Sequence, residues 1–249
     1  MSRGEDVPAS EGSEGAPATP PPPGQRLDGV RVLVTRAEAY MGPAIVERFA
    51  LAGAEVVADE RTLTAPEAAG AAVDDAGHVD VLVANLDAPA RRVRAHEIDD
   101  QAWLRAFDEL VHPLMRLVRA VLPQMLARGR GKVVAVTSAT PLRPVAPVTA
   151  YATARGAQHV FVQHVGVEVA ARGVNVNAIA QNFVENPAYF PPGALDDPRM
   201  RAWVEAVNPS GRLAAPWESA ELALFLSGPG SDFLHGQVIP FAGGSAVNV

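Results

Sequence analysis

From residue 30 onward, short apolar runs alternate with longer stretches of mixed character. The runs at 30–35 (Val-Arg-Val-Leu-Val-Thr), 54–59, 79–85 (Val-Asp-Val-Leu-Val-Ala-Asn), 132–138, 174–180 and 237–241 predict strands. The stretches at 43–52, 66–76, 99–128, 149–171, 198–207 and 218–227 predict helices. Gly173 is placed to close the helix over 149–171. Pro113 and Pro123 predict that the stretch over 99–128 is bent or split, because each removes a helical N–H. Strands alternating with helices predict a parallel sheet covered on both faces, as one α/β domain over 27–249. Ligands of such sheets sit beyond the carboxyl ends of the strands. Thr35, Asn85, Ser138 and Asn182 fall at or just past those ends.

Residues 1–26 break the pattern. They hold Pro20 to Pro23, many Gly, Ser and Glu, and almost no large apolar side chains. Such a segment buries too little surface to order itself, and a disordered N-terminal extension is expected. It lacks the apolar stretch of a signal peptide, and no run in the chain is long enough for a transmembrane helix.

Composition narrows the picture further. At 249 residues, with 48% hydrophobic and 20% charged positions, the chain suits one globular domain with a sizeable core. It has no cysteine, which excludes disulfides and thiolate metal sites and fits a cytoplasmic location. The net charge of -7 argues against nucleic acid or an anionic membrane as the main partner. The histidines have no metal-ligand spacing, and no metal site is expected.

The candidate chemistry lies in Ser138, Tyr151 and Arg155, a Ser-x12-Tyr-x3-Arg spacing. Tyr151 and Arg155 are four apart on an expected helix and share one face. A guanidinium fixed beside a phenol favours the phenolate, which suits Tyr151 to act as a base. Ser138, closing the preceding strand, can hold the same substrate oxygen. A surface Tyr-Arg pair beside an ordinary strand-end serine is the plainer alternative.

These residues carry a resemblance. The chain from about residue 30 is similar to the short-chain dehydrogenase/reductase superfamily, which uses Ser, Tyr and Lys; Arg155 stands where the lysine would be. The stretches Gly211-Arg212-Leu213, Pro216-Trp217-Glu218 and Gly236-Gln237-Val238 are similar too. The resemblance implies a Rossmann-like doubly wound sheet in three α/β/α layers. The departures cluster where that superfamily holds NAD(P). Its turn T-G-x-x-x-G-x-G reads Thr35-Arg36-Ala37-Glu38-Ala39-Tyr40-Met41-Gly42, with Arg36 and Tyr40 in place of the first two glycines. Its N-N-A-G reads Ala84-Asn85-Leu86-Asp87, its P-G reads Gln181-Asn182, and the asparagine of its proton relay reads His112.

Ser-x12-Tyr-x3-Arg together with Thr-x4-Tyr-x-Gly resembles the halohydrin dehalogenases, which share this fold. That resemblance implies a lyase needing no cofactor. A vicinal haloalcohol would be held by Ser138 and Tyr151, and Tyr151, supported by Arg155, would remove its proton. The alkoxide would displace halide to form an epoxide, and small anions such as azide, cyanide or nitrite would open epoxides in reverse. Tyr40, Gln181, Asn182, Phe183 and Tyr189 are the implied halide- or nucleophile-binding residues. The resemblance also implies a homotetramer built on the helices over 99–128 and 149–171, where small residues including Gly166 would allow close helix approach. Two other readings stay open: an NAD(P)-dependent short-chain oxidoreductase with an atypical cofactor loop, and a non-catalytic regulatory binder on the same fold.

Overall fold

The computed structural model describes residues 25–247. The extension expected over 1–26 therefore lies outside the described residues, except for Gln25 and Arg26. The strands are β1 (Arg31–Thr35), β2 (Glu55–Asp59), β3 (Val81–Asn85), β4 (Gly131–Ser138), β5 (Val174–Gln181) and β6 (Val238–Phe241). The helices are α1 (Gly42–Leu51), α2 (Ala68–Ala76), α3 (Asp100–Arg128), α4 (Thr149–Val169), α5 (Pro198–Val207) and α6 (Pro216–Ser227). Every expected element is present, with ends shifted by one or two residues.

The strands form one parallel sheet in the order β2-β1-β3-β4-β5-β6. Register explains why the strands are apolar at nearly every position. Leu33, Leu82, Val133 and Val176 are aligned across neighbouring strands and face the side covered by α2, α3 and α4. Their chain neighbours Val34, Val83 and Val134 are aligned on the opposite side, under α1 and α6. A strand buried on both faces cannot alternate with polar residues, and the result is the three-layer α/β/α architecture the sequence predicts.

α3 runs as one helix through Pro113 and Pro123, so the stretch is not split there. Leu110, Leu114, Leu117, Val118, Val121 and Met125 form one buried stripe against the sheet. At about 1.5–3 kcal/mol for each fully buried large side chain, that stripe outweighs a local penalty of about 3 kcal/mol per proline.

Gly166 also differs from expectation. A Cβ there would lie 2.3 Å from the backbone nitrogen of Gly236 and 2.8 Å from the Val176 carbonyl. The glycine serves an approach of α4 to its own sheet. Among the described residues, no helix is long and apolar enough to cross a membrane.

The carboxyl ends of β1, β3, β4 and β5 bring Thr35, Asn85, Ser138 and Gln181 to one edge of the sheet. The chain reverses direction across the sheet between β1 and β3, which opens a crevice at that edge.

Candidate active site

Arg155 is the centre of the site. It is fully buried on α4, one helical turn beyond Tyr151. Its Nε donates to the Tyr151 hydroxyl at 3.1 Å. Its Nη2 donates to the Leu86 carbonyl at 3.0 Å, and its Nη1 to the Val136 carbonyl at 3.3 Å and to Gln158 Oε1 at 3.1 Å. Gln158 is held in turn by donating from Nε2 to the Leu110 carbonyl of α3 at 2.8 Å. Sequence reading missed Gln158, although its i+3 spacing from Arg155 was a usable signal. The acceptors around the guanidinium are neutral, and among the described residues no carboxylate pairs with it. Burial works against the charge of Arg155, but the surrounding phenols of Tyr151, Tyr40 and Tyr189 leave its pKa raised overall.

The three phenols are held differently. The Tyr40 oxygen accepts from Gln181 Nε2 at 2.8 Å, and burial pushes its pKa up. The Tyr189 hydroxyl donates to the Ala88 carbonyl, and burial followed by the charge of Tyr151 pushes its pKa up. Both stay protonated across the physiological range. Tyr151 alone receives the guanidinium N–H.

Ser138 closes β4, and its Oγ lies 3.1 Å from Thr140 Oγ1 and accepts from the Thr140 N–H at 3.2 Å. Behind it, Thr137 Oγ1 lies 3.0 Å from Nε2 of the buried His159. Burial, then the positive charge of Arg155, holds the His159 pKa down to about 4.

Ser138, Tyr151, Tyr40, Gln181, Asn182, Phe183 and Tyr189 all line one cavity of about 270 Å³. The structure thus brings every sequence-identified site residue except Arg155 to the cavity surface, with Arg155 directly behind Tyr151. His112 lies elsewhere, half-exposed on α3 with Nδ1 2.8 Å from Asp108 Oδ1.

The turn between β1 and α1 keeps an unusual backbone. Arg36 and Tyr40 have φ of 49° and 55°, values that favour glycine. The turn is clamped by Asn85, whose Nδ2 donates to the carbonyls of Arg36 at 3.0 Å and Ala39 at 2.9 Å. Gly42 cannot be replaced without a shift, because a Cβ would lie 2.4 Å from the Ala37 carbonyl oxygen. Arg36 Nη2 pairs with Asp87 Oδ1 at 2.8 Å, so Asp87 serves this turn and not Arg155. The buried Tyr40 side chain reaches the end of β5, across the carboxyl ends of β3 and β4, and packs edge-on against Tyr189 at 5.6 Å. At the end of β2, where dinucleotide folds place a ribose-binding acid, Asp59 is bonded to Arg61.

The family whose signature matches residues 57–246 is described as enoyl-(acyl carrier protein) reductase. Galactitol 2-dehydrogenase (L-tagatose-forming) of Cereibacter sphaeroides is 30% identical over 227 residues, covering 87% of this chain and 85% of its own. A 3-oxoacyl-(acyl-carrier-protein) reductase of Vibrio harveyi is 29% identical, covering 88% and 98%. Among solved structures, a dehalogenation enzyme is 31% identical with a TM-score of 0.82, covering 88% of this chain and 99% of its own. A halohydrin dehalogenase bound to an oxirane ester is 27% identical with a TM-score of 0.79, covering 88% and 98%. A gluconate 5-dehydrogenase of Burkholderia cenocepacia, in complex with NADP and tartrate, is 25% identical with a TM-score of 0.81, covering 90% and 98%.

These relatives correct the functional expectation. The matched curated proteins are dehydrogenases and reductases, and several of the solved relatives hold NADP. Their weight overturns the reading as a cofactor-independent carbon–halide lyase with haloalcohol, epoxide and halide partners, and favours a short-chain oxidoreductase. The physical reason is that Ser, Tyr and a basic residue act on a substrate oxygen. Hydride transfer and halide displacement both begin there, so the motif does not separate them.

A dinucleotide is the cofactor that such relatives imply. The turn as it stands does not fit one. The pyrophosphate of a dinucleotide needs close backbone approach at this turn. Here Arg36 and Tyr40 put side chains on the glycine-like positions and lock them to Asp87 and Gln181. The glycine retained, Gly42, is the one needed for packing. The match over most of its length and the shared fold make the chain a member of the short-chain dehydrogenase/reductase family, in the broad sense that takes in both the acyl-carrier reductases and the halohydrin dehalogenases.

Proposed function

We propose that this protein is an enzyme of the short-chain oxidoreductase type, with an atypical turn at the dinucleotide position, acting on the hydroxyl or carbonyl oxygen of a small molecule. Tyr151 is the acid–base group. Ser138 holds the same substrate oxygen by a hydrogen bond. Arg155 carries the counter-charge when Tyr151 is ionised. Tyr151 would take the proton of a substrate hydroxyl or return one to a carbonyl oxygen, while the hydride leaving or joining the carbon would have to be carried by a nicotinamide dinucleotide, for which the β1–α1 turn would have to open. The observation that supports this most is a buried guanidinium whose one ionisable hydrogen-bond partner among the described residues is the Tyr151 hydroxyl, at 3.1 Å, on the wall of a cavity shared with Ser138.

The test is oxidation of secondary alcohols and reduction of ketones, with NAD(H) and NADP(H), by the parent protein and by Tyr151→Phe. Slow turnover in the parent, needing high dinucleotide concentration because of the closed turn, and its loss in the variant is the expected result. Folded parent protein that turns over no alcohol or ketone with either dinucleotide would overturn the oxidoreductase reading. The closed turn favours a second reading, a binding protein on the same fold. It predicts saturable binding of ketones with no turnover.

A further inference from the structure

The cavity wall facing Ser138 and Tyr151 is largely aromatic, and most of its polar groups are already engaged. Phe183, Phe190 and Trp203 form a cluster, with Phe183 centred 5.8 Å from Phe190 and 5.5 Å from Trp203. Phe190 and Trp203 stack at 6.4 Å with planes 19° apart. Phe183 reaches this cluster from a backbone with φ of 54°, a conformation an L-residue adopts only when its surroundings hold it there. Trp203, from α5, keeps 46% of its surface exposed, leaving much of the indole open to contact.

No charged side chain lines the cavity among the described residues. The amide of Gln181 is taken at both ends, by Tyr40 and by Ser219 Oγ, each at 2.8 Å. Asn186 donates to the Val184 carbonyl at 2.7 Å and accepts from the N–H groups of Ala188 and Tyr189. Asn182 Oδ1 accepts from the Phe183 N–H at 2.9 Å. Those commitments leave Asn182 Nδ2 and the hydroxyls of Ser138, Thr140 and Tyr151 to meet a ligand, with Ser138 and Tyr151 as the pair for the reacting oxygen. A sugar alcohol carries more hydroxyls than these few groups can partner, and a keto acid would bring a carboxylate to a wall with no cation; both costs are high. At about 270 Å³, the cavity lies just below the roughly 300–1,000 Å³ of drug-sized sites.

We propose that the site selects a compact, uncharged substrate with an aryl group beside its hydroxyl or carbonyl carbon, and that Phe190 and Trp203 determine this specificity. The proposal rests on the reading of Ser138 and Tyr151 as the oxygen-binding pair. The ring would lie against the aromatic wall, in offset or edge-on contact, while the oxygen meets the two hydroxyls. This substrate class is unlike those named for the sugar-alcohol and acyl-carrier relatives.

Calorimetric titration of the full chain tests it without turnover. The probes are acetophenone, cyclohexyl methyl ketone, 2-butanone, galactitol and acetoacetate. Acetophenone should bind at least tenfold more tightly than 2-butanone, which corresponds to about 1.4 kcal/mol. It should also bind more tightly than cyclohexyl methyl ketone, and galactitol and acetoacetate should not saturate. Trp203→Ala and Phe190→Ala should each cut the preference for acetophenone over 2-butanone at least fivefold, and Trp203→Phe should restore most of it. Thermal unfolding checks that the variants fold; if one does not, the other and the parent's own selectivity still decide. Equal binding of the two ring ketones, saturable binding of galactitol or acetoacetate at acetophenone's concentration, or a preference intact in both alanine variants would overturn the proposal. Selective acetophenone binding without turnover by any dinucleotide would count against the oxidoreductase reading and leave this inference standing. Efficient turnover of sugar alcohols would do the reverse.

Discussion

Two arginines stand behind cavity-lining tyrosines, Arg155 behind Tyr151 and Arg36 on the turn that carries Tyr40, and they are held in opposite ways. Arg155 is fully buried, and its partners are two backbone carbonyls, the Gln158 amide oxygen and the Tyr151 hydroxyl. Arg36 is partly exposed, at 30% of its side-chain surface, and pairs with the Asp87 carboxylate at 2.8 Å. A carboxylate partner neutralises a guanidinium and turns it into a clip between two segments. Neutral acceptors satisfy its hydrogen-bonding capacity but leave its charge to act on what lies nearby. Burying a cation costs several kcal/mol, so an arginine kept buried with no anion must be offset by its hydrogen bonds. The charge is left for Tyr151. In the proposed function one arginine therefore supports chemistry, while the other holds the β1–α1 turn in a conformation that glycine would adopt unaided.

The largest expected effect separates these roles most cleanly. Tyr151→Phe should lower turnover of the best alcohol or ketone substrate by about 10²–10⁴-fold, the usual contribution of one acid–base group. The melting temperature should change little, because the ring stays in place. Near-parental turnover would remove Tyr151 from the acid–base role and dissolve the contrast between the two arginines.

Arg155→Lys comes next. A lysine cannot reproduce the planar fork that bonds Tyr151, Leu86, Val136 and Gln158 together. Leaving buried acceptors unpaired should cost about 3 kcal/mol in urea unfolding. The pH–rate profile should shift as well, a change that packing loss alone does not produce. An unmoved profile would show that Arg155 supports the fold without tuning the phenol.

The pH dependence of stability sharpens the picture from behind the site. Buried His159 is held neutral down to about 4, by burial and by Arg155. An unfolded imidazole titrates near pH 6.5. Between these values the unfolded chain binds more protons, so stability from this residue is complete above pH 6.5 and falls as pH drops toward 4. The expected loss is about 1.6 kcal/mol between pH 6.5 and pH 5. Chemical unfolding at both pH values should show it, and His159→Gln should remove that slope. A slope unchanged in the variant would place the acid sensitivity in other groups.

The sequence revealed the sheet well and the site unevenly, for physical reasons. Runs such as 79–85 are apolar at almost every position because a strand covered on both faces has no polar side. That pattern survives without knowledge of the partners. The fate of Pro113 and Pro123 depended on a buried stripe of α3 meeting the sheet, which is a tertiary fact. Ser138, Tyr151 and Arg155 were legible because a strand end and an i,i+4 helical pair fix their relative places. The aromatic wall was legible only in part: Phe183 was named through the resemblance, but its packing on Phe190 and on Trp203 of α5 is set only by folding. The choice between displacement and hydride chemistry was beyond the motif, because both start from the same oxygen.

The smallest effect bears directly on the turn. Arg36→Gly combined with Tyr40→Gly removes the side chains locked to Asp87 and Gln181 while keeping a backbone that already has positive φ at both positions. Glycine accepts that conformation without the cost of about 1–2 kcal/mol that L-residues carry. The cavity left by the buried Tyr40 ring, a loss of about 3–5 kcal/mol for a large aromatic, exceeds this gain, so stability should fall by about 1–3 kcal/mol. Access for a pyrophosphate should improve, because Gly42 already provides the close packing of α1 on the turn. Affinity for NADH or NADPH, read from cofactor fluorescence, should rise about tenfold over the parent, a change of about 1.4 kcal/mol. If parent and variant bind dinucleotide equally well, Arg36 and Tyr40 lie outside the cofactor's path and the turn differs from a glycine-rich one in sequence alone. If affinity rises while Tyr151-dependent turnover stays at the parental level, the two regions work independently: one arginine shapes the opening, and the other sets the chemistry beneath it.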